Sequence, residues 1–177
     1  MFNAVGTAFK DNAQIVSFNE FDRFTKITEY NDIFGNCSSL ESVNLNNITR
    51  MVAGFATAPF RNTKVDRIIL PNINYVGHYI PAYSAIKYIL IGDKCTVIEQ
   101  YALHYRPSVY KACIILANNP PTINGNYGWG TNPIYVPDDS VETYKAAPIW
   151  ANKASTLRKL SDFSTDFPDS GLEEYLP

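Results

Sequence analysis

The strongest constraint on the fold is a short apolar spacing that recurs along the chain. Its clearest copy is AIKYILIG, Ala85 to Gly92, which places Ile86, Ile89 and Ile91 in the order apolar-x-x-apolar-x-apolar. Residues two apart in an extended strand share a face, so Ile89 and Ile91 are predicted to point into a core. A spacing that returns several times predicts several similar strands, and therefore a fold built from one repeated unit.

Further copies of this spacing lie on both sides of the first. They are Val65, Ile68 and Leu70; Leu40, Val43 and Leu45; Lys111, Ile114 and Leu116; a looser copy at Ala13, Val16 and Phe18; and a truncated copy at Ile134 and Val136. Their last apolar positions are separated by 27, 25, 21, 25 and 20 residues. This period is close to that of leucine-rich repeats, about 20 to 29 residues, and it predicts a long core rather than a round one.

Length and composition favour a single domain. A chain of 177 residues with 46% apolar content can bury a full core. We assign residues 1–162 to one domain, with an N-terminal cap over 1–12, repeats over 13–132 and a C-terminal cap over 133–162. An acidic and apolar tail follows over 163–177. The caps are expected because a stack of repeats must shield its end cores from water.

The charge pattern argues against nucleic acid as a partner, since the net charge is −2 and no run of Lys and Arg is present. No window has the roughly 18 to 20 continuous apolar residues of a membrane span. Residues 1–14 lack the basic start and apolar block of a secretory signal peptide. Two interpretations stay open: a signal removed from the chain, or another route to the site of action, such as assembly into a particle inside a cell.

Side chains capable of chemistry are scattered. His78 and His104 have no acid or cysteine at metal-ligand spacing, and Cys37, Cys95 and Cys113 include no CxxC pair. No G-x-S-x-G sequence or phosphate-binding glycine loop is present. The cysteines are interpreted as small apolar fillers. We predict no catalytic site, no metal site and no cofactor.

One joint between repeats resembles a known family. The sequence IFGNCSSLESVNL, Ile33 to Leu45, is similar to the F-x-x-C-x-x-L-x-x-I-x-L joint of BspA-like leucine-rich repeats. The resemblance implies that Phe34 and Cys37 lie in the core just before the next strand. It extends through Pro59 to Leu70 and Ala85 to Tyr101, where each strand is followed by a second short apolar segment.

A second resemblance covers the C-terminal cap. The sequence from Pro133 to Phe163 resembles the terminal cap of the same family, with a short strand, a Val-Pro-Asp sequence, a helix, a Trp and a closing basic strand. Trp150 has the size to plug the end of the core. Together the two resemblances imply a β-rich α/β fold: a right-handed leucine-rich-repeat solenoid with a parallel strand ladder and a C-terminal capping helix.

The cap also has local signals of its own. Asp138 or Asp139 can accept amide hydrogen bonds at a helix start, and weak Ca²⁺ binding by the pair is the less simple alternative. Val141 and Tyr144 are spaced to share one helix face. Pro148 is expected to end the helix.

The outward positions of the repeated strands become more apolar along the chain. They are Ser42 and Asn44, then Arg67 and Ile69, then Tyr88 and Leu90, then Cys113 and Ile115, then Tyr135. We predict an exposed contact face, on the order of several hundred Å² in area, formed by Ile69, Tyr88, Leu90, Ile115 and Tyr135. The alternative is that another part of the same chain covers these strands.

A second candidate surface is the stretch PTINGNYGWGTN, Pro121 to Asn132, which is predicted to be a surface loop. Its glycines permit open turns, and Tyr127 and Trp129 offer flat faces suited to sugar or protein contact. The alternative is a long turn whose two aromatic side chains pack back on the cap.

The tail from Phe163 to Pro177 has four acids and no base. Its apolar residues Phe163, Phe167, Leu172 and Tyr175 are spaced through it. Such a segment is either disordered or docks on a neighbouring chain and becomes ordered there.

The family resemblance implies adhesion or recognition. We expect a non-enzymatic module that binds protein or glycan at an extracellular or cell surface. The alternative is a structural component of a larger particle, such as a phage virion or tail-fibre protein, with homo-oligomer or particle neighbours as its partners.

Overall fold

The computed structural model describes residues 7–23, 30–53, 57–103, 109–125 and 130–177. In this part of the chain the fold is α/β, with parallel sheets and few helices. The strands are β1 Ser17–Phe18, β2 Ser42–Val43, β3 Arg50–Met51, β4 Arg67–Leu70, β5 Tyr75–Val76, β6 Tyr88–Ile91, β7 Val97–Glu99, β8 Ala112–Ile115, β9 Thr122–Asn124, β10 Ile134–Val136 and β11 Leu157–Lys159. The helices are α1 Val141–Ala146 and α2 Phe163–Asp166.

The strands form three parallel sheets in the described residues. The five-stranded sheet has the order β11-β10-β8-β6-β4, the four-stranded sheet β3-β5-β7-β9, and β1 pairs with β2. From β4 to β10 the chain alternates between the two larger sheets. Each repeat therefore supplies one strand to each sheet, which confirms the predicted parallel ladder and the second short apolar segment of each repeat.

The space between the sheets is filled by the predicted inward residues. Ile89 and Ile91 of β6 are fully buried in one continuous core, as are Phe34 and Cys37 at the joint before β2. All three cysteines are free and buried. Their interpretation as apolar fillers is confirmed.

The register of β8 differs from the prediction by one residue. Ile91 pairs with Ile115, so Cys113 and Ile115 point into the core while Ile114 points outward. The prediction had placed Ile114 and Leu116 inward and Cys113 and Ile115 outward. The stretch is apolar on both faces, and a slip of one residue exchanges the faces of every side chain. Pairing with β6 therefore decides what the local pattern leaves open.

Gly92, at the end of AIKYILIG, has a steric role. A Cβ at this position would collide with the carbonyl oxygen of Pro71 in the preceding repeat. The Gly92 amide donates to the Leu70 carbonyl at 3.0 Å. Close stacking of adjacent repeats thus needs a glycine here.

One corner of the repeats is built from residues in the left-handed backbone region. Asp11, Asn36 and Asn62 have φ values of 63°, 62° and 55°. Their side chains form a ladder in which the Asn36 amide donates to Asp11 at 2.7 Å and the Asn62 amide donates to Asn36 at 2.8 Å. Asn and Asp tolerate this conformation better than other non-glycine residues, which explains their repeated use.

Both caps cover the core ends. In the described part of the N-terminal cap, the Phe9 ring lies 4.7 Å from the Phe18 ring and 5.5 Å from the Phe34 ring. At the other end Trp150 is buried and its indole N–H donates to the Pro121 carbonyl at 2.7 Å. The predicted plug is confirmed.

The capping helix follows most of its local signals. Val141 and Tyr144 are both buried on one face of α1, and the helix ends before Pro148, as predicted. The predicted side-chain cap is wrong, because the carboxylate of Asp138 accepts bonds from the Ser161 amide at 3.0 Å and the Ser161 hydroxyl at 2.7 Å. These bonds hold the pKa of Asp138 below its usual value.

None of the helices in the described part of the chain has the length and apolar character needed to cross a membrane.

Candidate binding surface

The predicted contact face is covered by the chain's own C-terminal segment. Tyr88, Leu90 and Tyr135 are 6%, 1% and 1% exposed, and Ile69 is partly buried. Ile115 is on the opposite, core-facing side of the sheet. The prediction of an exposed ladder is therefore wrong, and the alternative, cover by another part of the same chain, describes the structure.

We call residues 163–177 the strap and the side of the five-stranded sheet beneath it the outer face. The strap residues Phe163 and Leu172 are fully buried against this face, and Phe167 and Leu176 are partly buried there. The predicted tail contacts thus exist within one chain, whereas the sequence suggested disorder or docking on a neighbour. Tyr175, the fourth predicted docking residue, remains 37% exposed.

Aromatic edges dominate the contact between strap and outer face. The Phe163 ring lies 5.1 Å from the Tyr135 ring and 6.2 Å from the Tyr88 ring, with interplanar angles of 81° and 83°. The Phe167 ring lies 5.6 Å from Tyr88 at 73°. Edge-to-face packing at these distances is favourable beyond the burial of apolar area.

Two polar contacts hold the first half of the strap to the sheet. The Tyr135 hydroxyl donates to the Asp166 carboxylate at 2.6 Å. Burial first, and this carboxylate second, raise the pKa of the Tyr135 phenol. The Arg67 guanidinium donates to the carbonyls of Ser170 and Gly171 at 3.3 and 3.4 Å.

The second predicted surface is only partly described. Tyr127 and Trp129 lie outside the described residues. The start of their stretch, predicted to be a loop, instead forms strand β9 from Thr122 to Asn124, with Ile123 buried in the core.

Three tyrosines gather at another place, on the surface between the two large sheets. We call Tyr79, Tyr83 and Tyr101 the tyrosine corner. The rings of Tyr79 and Tyr101 are stacked with centroids 5.3 Å apart and an interplanar angle of 6°. Tyr83 is 51% exposed, and the other two are half-buried.

All three tyrosines have left-handed backbone conformations. Their φ values are 54°, 56° and 57° for Tyr79, Tyr83 and Tyr101. A bulky residue in this region is a steric outlier that costs on the order of 1 to 3 kcal/mol. Such strain is most often found at functional sites.

The strain at Tyr83 contrasts with the same corner of the preceding repeat. Asn62 and Tyr83 each lie three residues before the first apolar position of their strand template, Val65 and Ile86. The backbone N–H of Asn62 donates to the backbone carbonyl of Tyr83 at 3.0 Å, which joins the two corners directly. The fold accepts an asparagine at the corner of Asn62, where the left-handed region is less strained than it is for a tyrosine.

The electrostatics of the corner keep its central phenol neutral. Burial, and then the neighbouring phenols of Tyr101 and Tyr83, raise the pKa of Tyr79. A neutral phenol both donates and accepts hydrogen bonds while its ring offers apolar area. Beside the corner, His78 Nδ1 forms a 2.5 Å hydrogen bond with the Gln100 carbonyl. His104 lies outside the described residues.

The outward side of the four-stranded sheet carries a polar row. The Arg50 guanidinium lies 3.7 Å from the centre of the Tyr75 ring. Glu99 accepts from the Tyr75 hydroxyl at 2.6 Å and from the Asn124 amide at 2.8 Å. These groups bind one another across neighbouring repeats, so the row stabilises the stacking.

Groups for metal or covalent chemistry are not assembled in the described residues, where no three His, Cys, Asp or Glu side chains lie close enough to hold a metal ion. Burial raises the pKa of both Cys95 and Cys113 to about 12. Thiols of this kind are weak nucleophiles at neutral pH.

Comparisons with known proteins give no family for this chain: no protein family and no curated protein matches it.

The tyrosine corner was missed in the sequence, although a signal for it exists. Tyr79 and Tyr101 are 22 residues apart, one repeat length, and each lies three residues after a paired residue of the four-stranded sheet, Val76 or Ile98. These equivalent positions lie outside the core strands, so the spacing of the core residues does not reveal them.

Proposed function

We propose that this protein is a non-enzymatic binding module that contacts protein or glycan through the tyrosine corner. The observation that carries the proposal is the left-handed backbone at all three tyrosines. At the corner that precedes Tyr83 by one repeat the chain has Asn62, and a tyrosine in the left-handed region is more strained than an asparagine. Strain held in this way is explained by a contact that the side chains make.

The chemistry of the corner suits recognition. Tyrosine supplies a large, rigid surface with two rotatable side-chain bonds, so little entropy is lost on binding. Tyr83 offers the most accessible ring, and beside it the half-buried rings of Tyr79 and Tyr101 are stacked on each other. Ring area and hydroxyl groups together match protein and sugar surfaces, which combine apolar patches with hydrogen-bonding groups.

We also propose that the repeats form a right-handed solenoid of the BspA-like leucine-rich-repeat type. Support comes from the alternation of strands between two parallel sheets, from the buried Phe34 and Cys37 of the joint, and from the buried Trp150 of the cap. The role that goes with this class is adhesion or recognition at a cell surface, in the extracellular space.

Binding to defined surfaces tests the proposed function. The purified chain is applied to an oligosaccharide array and to plates coated with extracellular-matrix proteins. We expect retention on at least one surface, and at least a tenfold loss of affinity in Tyr83→Asn and in the double variant Tyr79→Ala and Tyr101→Ala. Such a loss is the usual size for removal of an aromatic anchor.

A matched control is Val16→Asn, because Val16 is 54% exposed, close to the value for Tyr83, but lies beside β1. This variant should bind like the original chain. Retention that is equal in the tyrosine variants and the control, or no retention on any surface, contradicts the proposal.

The second candidate is a structural component of a larger particle, such as a phage virion or tail fibre. The observation that favours it is the strap, a segment that docks through apolar side chains on a sheet face. A native mass measurement tests this role, since a particle component should associate at micromolar concentration.

A further inference from the structure

The strap forms several of its backbone hydrogen bonds within itself, while the carbonyls of Ser170 and Gly171 accept from Arg67 on the sheet. Among the described residues, its backbone amide bonds run from Phe167 to the Phe163 carbonyl at 2.8 Å, from Ser170 to Phe167 at 3.1 Å, and from Tyr175 to Leu172 at 2.9 Å. A segment that completes its own backbone bonds can leave the sheet without exposing broken ones. Its release breaks side-chain packing and the bonds from Arg67 to the Ser170 and Gly171 carbonyls, but none of the bonds within the strap.

Those side-chain contacts are few and concentrated. Phe163 and Leu172 provide the fully buried apolar area, Tyr135 binds Asp166, and Arg67 holds the Ser170 carbonyl. Segments joined to a domain by a small number of side-chain contacts open more easily than the core does. The strap is therefore the part of the protein best suited to leave and return as a unit.

The charges of the two parts favour renewed docking of the strap on the outer face. The strap carries a formal side-chain charge of −4, and the rest of the chain carries +2, which together give the net charge of −2. Arg67 and Lys87 stand close enough to Tyr88 on the outer face to influence its phenol. Complementary charge speeds the approach of two surfaces, and the attraction is screened within about 8 Å at physiological salt.

We propose that the outer face is also an interaction surface between two copies of this chain, each covered by the strap of the other. Every contact made by the strap within one chain can form unchanged between two chains, because the surfaces are identical. Exchange of an identical element is a low-cost route to a dimer. The hinge is the 3₁₀ turn Leu160–Asp162 between β11 and the strap, and its opening breaks the two hydrogen bonds from Ser161 to Asp138.

The concentration dependence follows from this geometry. A strap attached to its own chain has an effective concentration in the millimolar range, so the closed monomer prevails in dilute solution. Exchange becomes important where copies are crowded, as in an array on a surface or in a particle. The inference does not depend on the tyrosine corner, and a failure of one leaves the other intact.

Energy transfer between labelled full-length chains tests the exchange. A donor dye is attached to the strap of one batch through Glu174→Cys, and an acceptor to the other batch through Lys87→Cys, both at exposed positions. The native cysteines are buried and do not compete for the label. Mixing at high concentration should give a slow rise in transfer, carried by a species of twice the monomer mass.

Two outcomes overturn the proposal. One is a chain that stays monomeric without energy transfer across the whole accessible concentration range. The other is a dimer that shows no transfer from strap to outer face, which would mean that the copies pair elsewhere.

Tyr135→Phe provides a second, independent measurement. It removes the bond to Asp166 but keeps the ring, so exchange should become about tenfold faster, the effect of losing one hydrogen bond to a charged group. Tyr75→Phe is the matched control, because it removes a bond to Glu99 of the same 2.6 Å length on the other sheet. Equal exchange rates in the two variants contradict docking through the outer face.

Discussion

The outer face and the tyrosine corner are both rich in aromatic residues, but the chain treats them in opposite ways. On the outer face, Tyr88 and Tyr135 lie under the strap and pack edge-on against its phenylalanines. At the corner, Tyr79, Tyr83 and Tyr101 stay partly open and hold a strained backbone. The first region converts aromatic area into stability, and the second costs stability.

The comparison shows that aromatic content alone does not mark a binding site. Cover by other residues and backbone strain are the more informative properties. The strap covers the apolar part of the sheet, and its middle residues Ser170 and Gly171 reach Arg67 on the edge strand β4.

The largest difference between the two regions should appear when the strap is weakened. Phe163→Ala removes a fully buried ring between Tyr88 and Tyr135, and we expect a loss of about 3 to 5 kcal/mol in the free energy of unfolding. Denaturant unfolding measures it. Phe167→Ala is the matched control and should cost clearly less, because Phe167 is only partly buried. Equal losses would mean that burial does not set the strap's contribution.

At the tyrosine corner, by contrast, a substitution is expected to increase stability. Tyr83→Asn places at this corner the residue type found at Asn62, and relief of the left-handed strain should raise the free energy of unfolding by about 1 kcal/mol. The mirror variant Asn62→Tyr should lower it by a similar amount or more, since it also breaks the bond to Asn36. Thermal unfolding of both variants measures these changes. If Tyr83→Asn lowers the stability of the chain, the backbone at Tyr83 is not strained.

The smallest effect is the response to alkali. Burial is the main cause that raises the pKa of Tyr75 from 10.0 to about 12. Burial also raises the pKa values of Tyr135 and Tyr79. A phenol whose pKa is higher in the folded chain adds stability below pH 10 and loses that contribution as the pH rises through 12. We expect stability to fall between these values.

Titration of tyrosinate absorbance beside circular dichroism measures this fall. Tyr135→Phe should flatten it more than Tyr79→Phe, because the Asp166 carboxylate adds to the effect of burial at Tyr135. Flattening of equal size in the two variants would place the covered face and the corner in the same electrostatic environment.

Most of the repeated architecture could be predicted from residue order. Ile68, Leu70, Ile89 and Ile91 alternate with outward residues, and alternation of this kind predicts strands with one face toward a core. The stretch from Lys111 to Leu116 could not be placed, because it offers apolar residues to both faces. Only pairing with the neighbouring strand β6 decides which of these residues face the core.

The candidate site was less accessible to prediction. The outward residues Tyr88, Leu90 and Tyr135 were correctly recognised as an unusual apolar surface, but exposure is a property of the whole molecule. Nothing within β6 or β10 indicates that Phe163 and Leu172 return to cover them. Conversely, the positive φ values of the tyrosine corner depend on how consecutive repeats stack.

The sequence by itself determined the repeat and the plug of the C-terminal end, because the repeat rests on local spacing and the plug on the size of Trp150, whereas the parallel ladder was expected from the family resemblance. The tertiary structure decided which surface is covered and which is left open. Residues from Phe163 onward meet strands that precede them by as many as a hundred positions, as in the bond from Arg67 to Ser170. Contacts of that range follow from the energy of the folded chain as a whole.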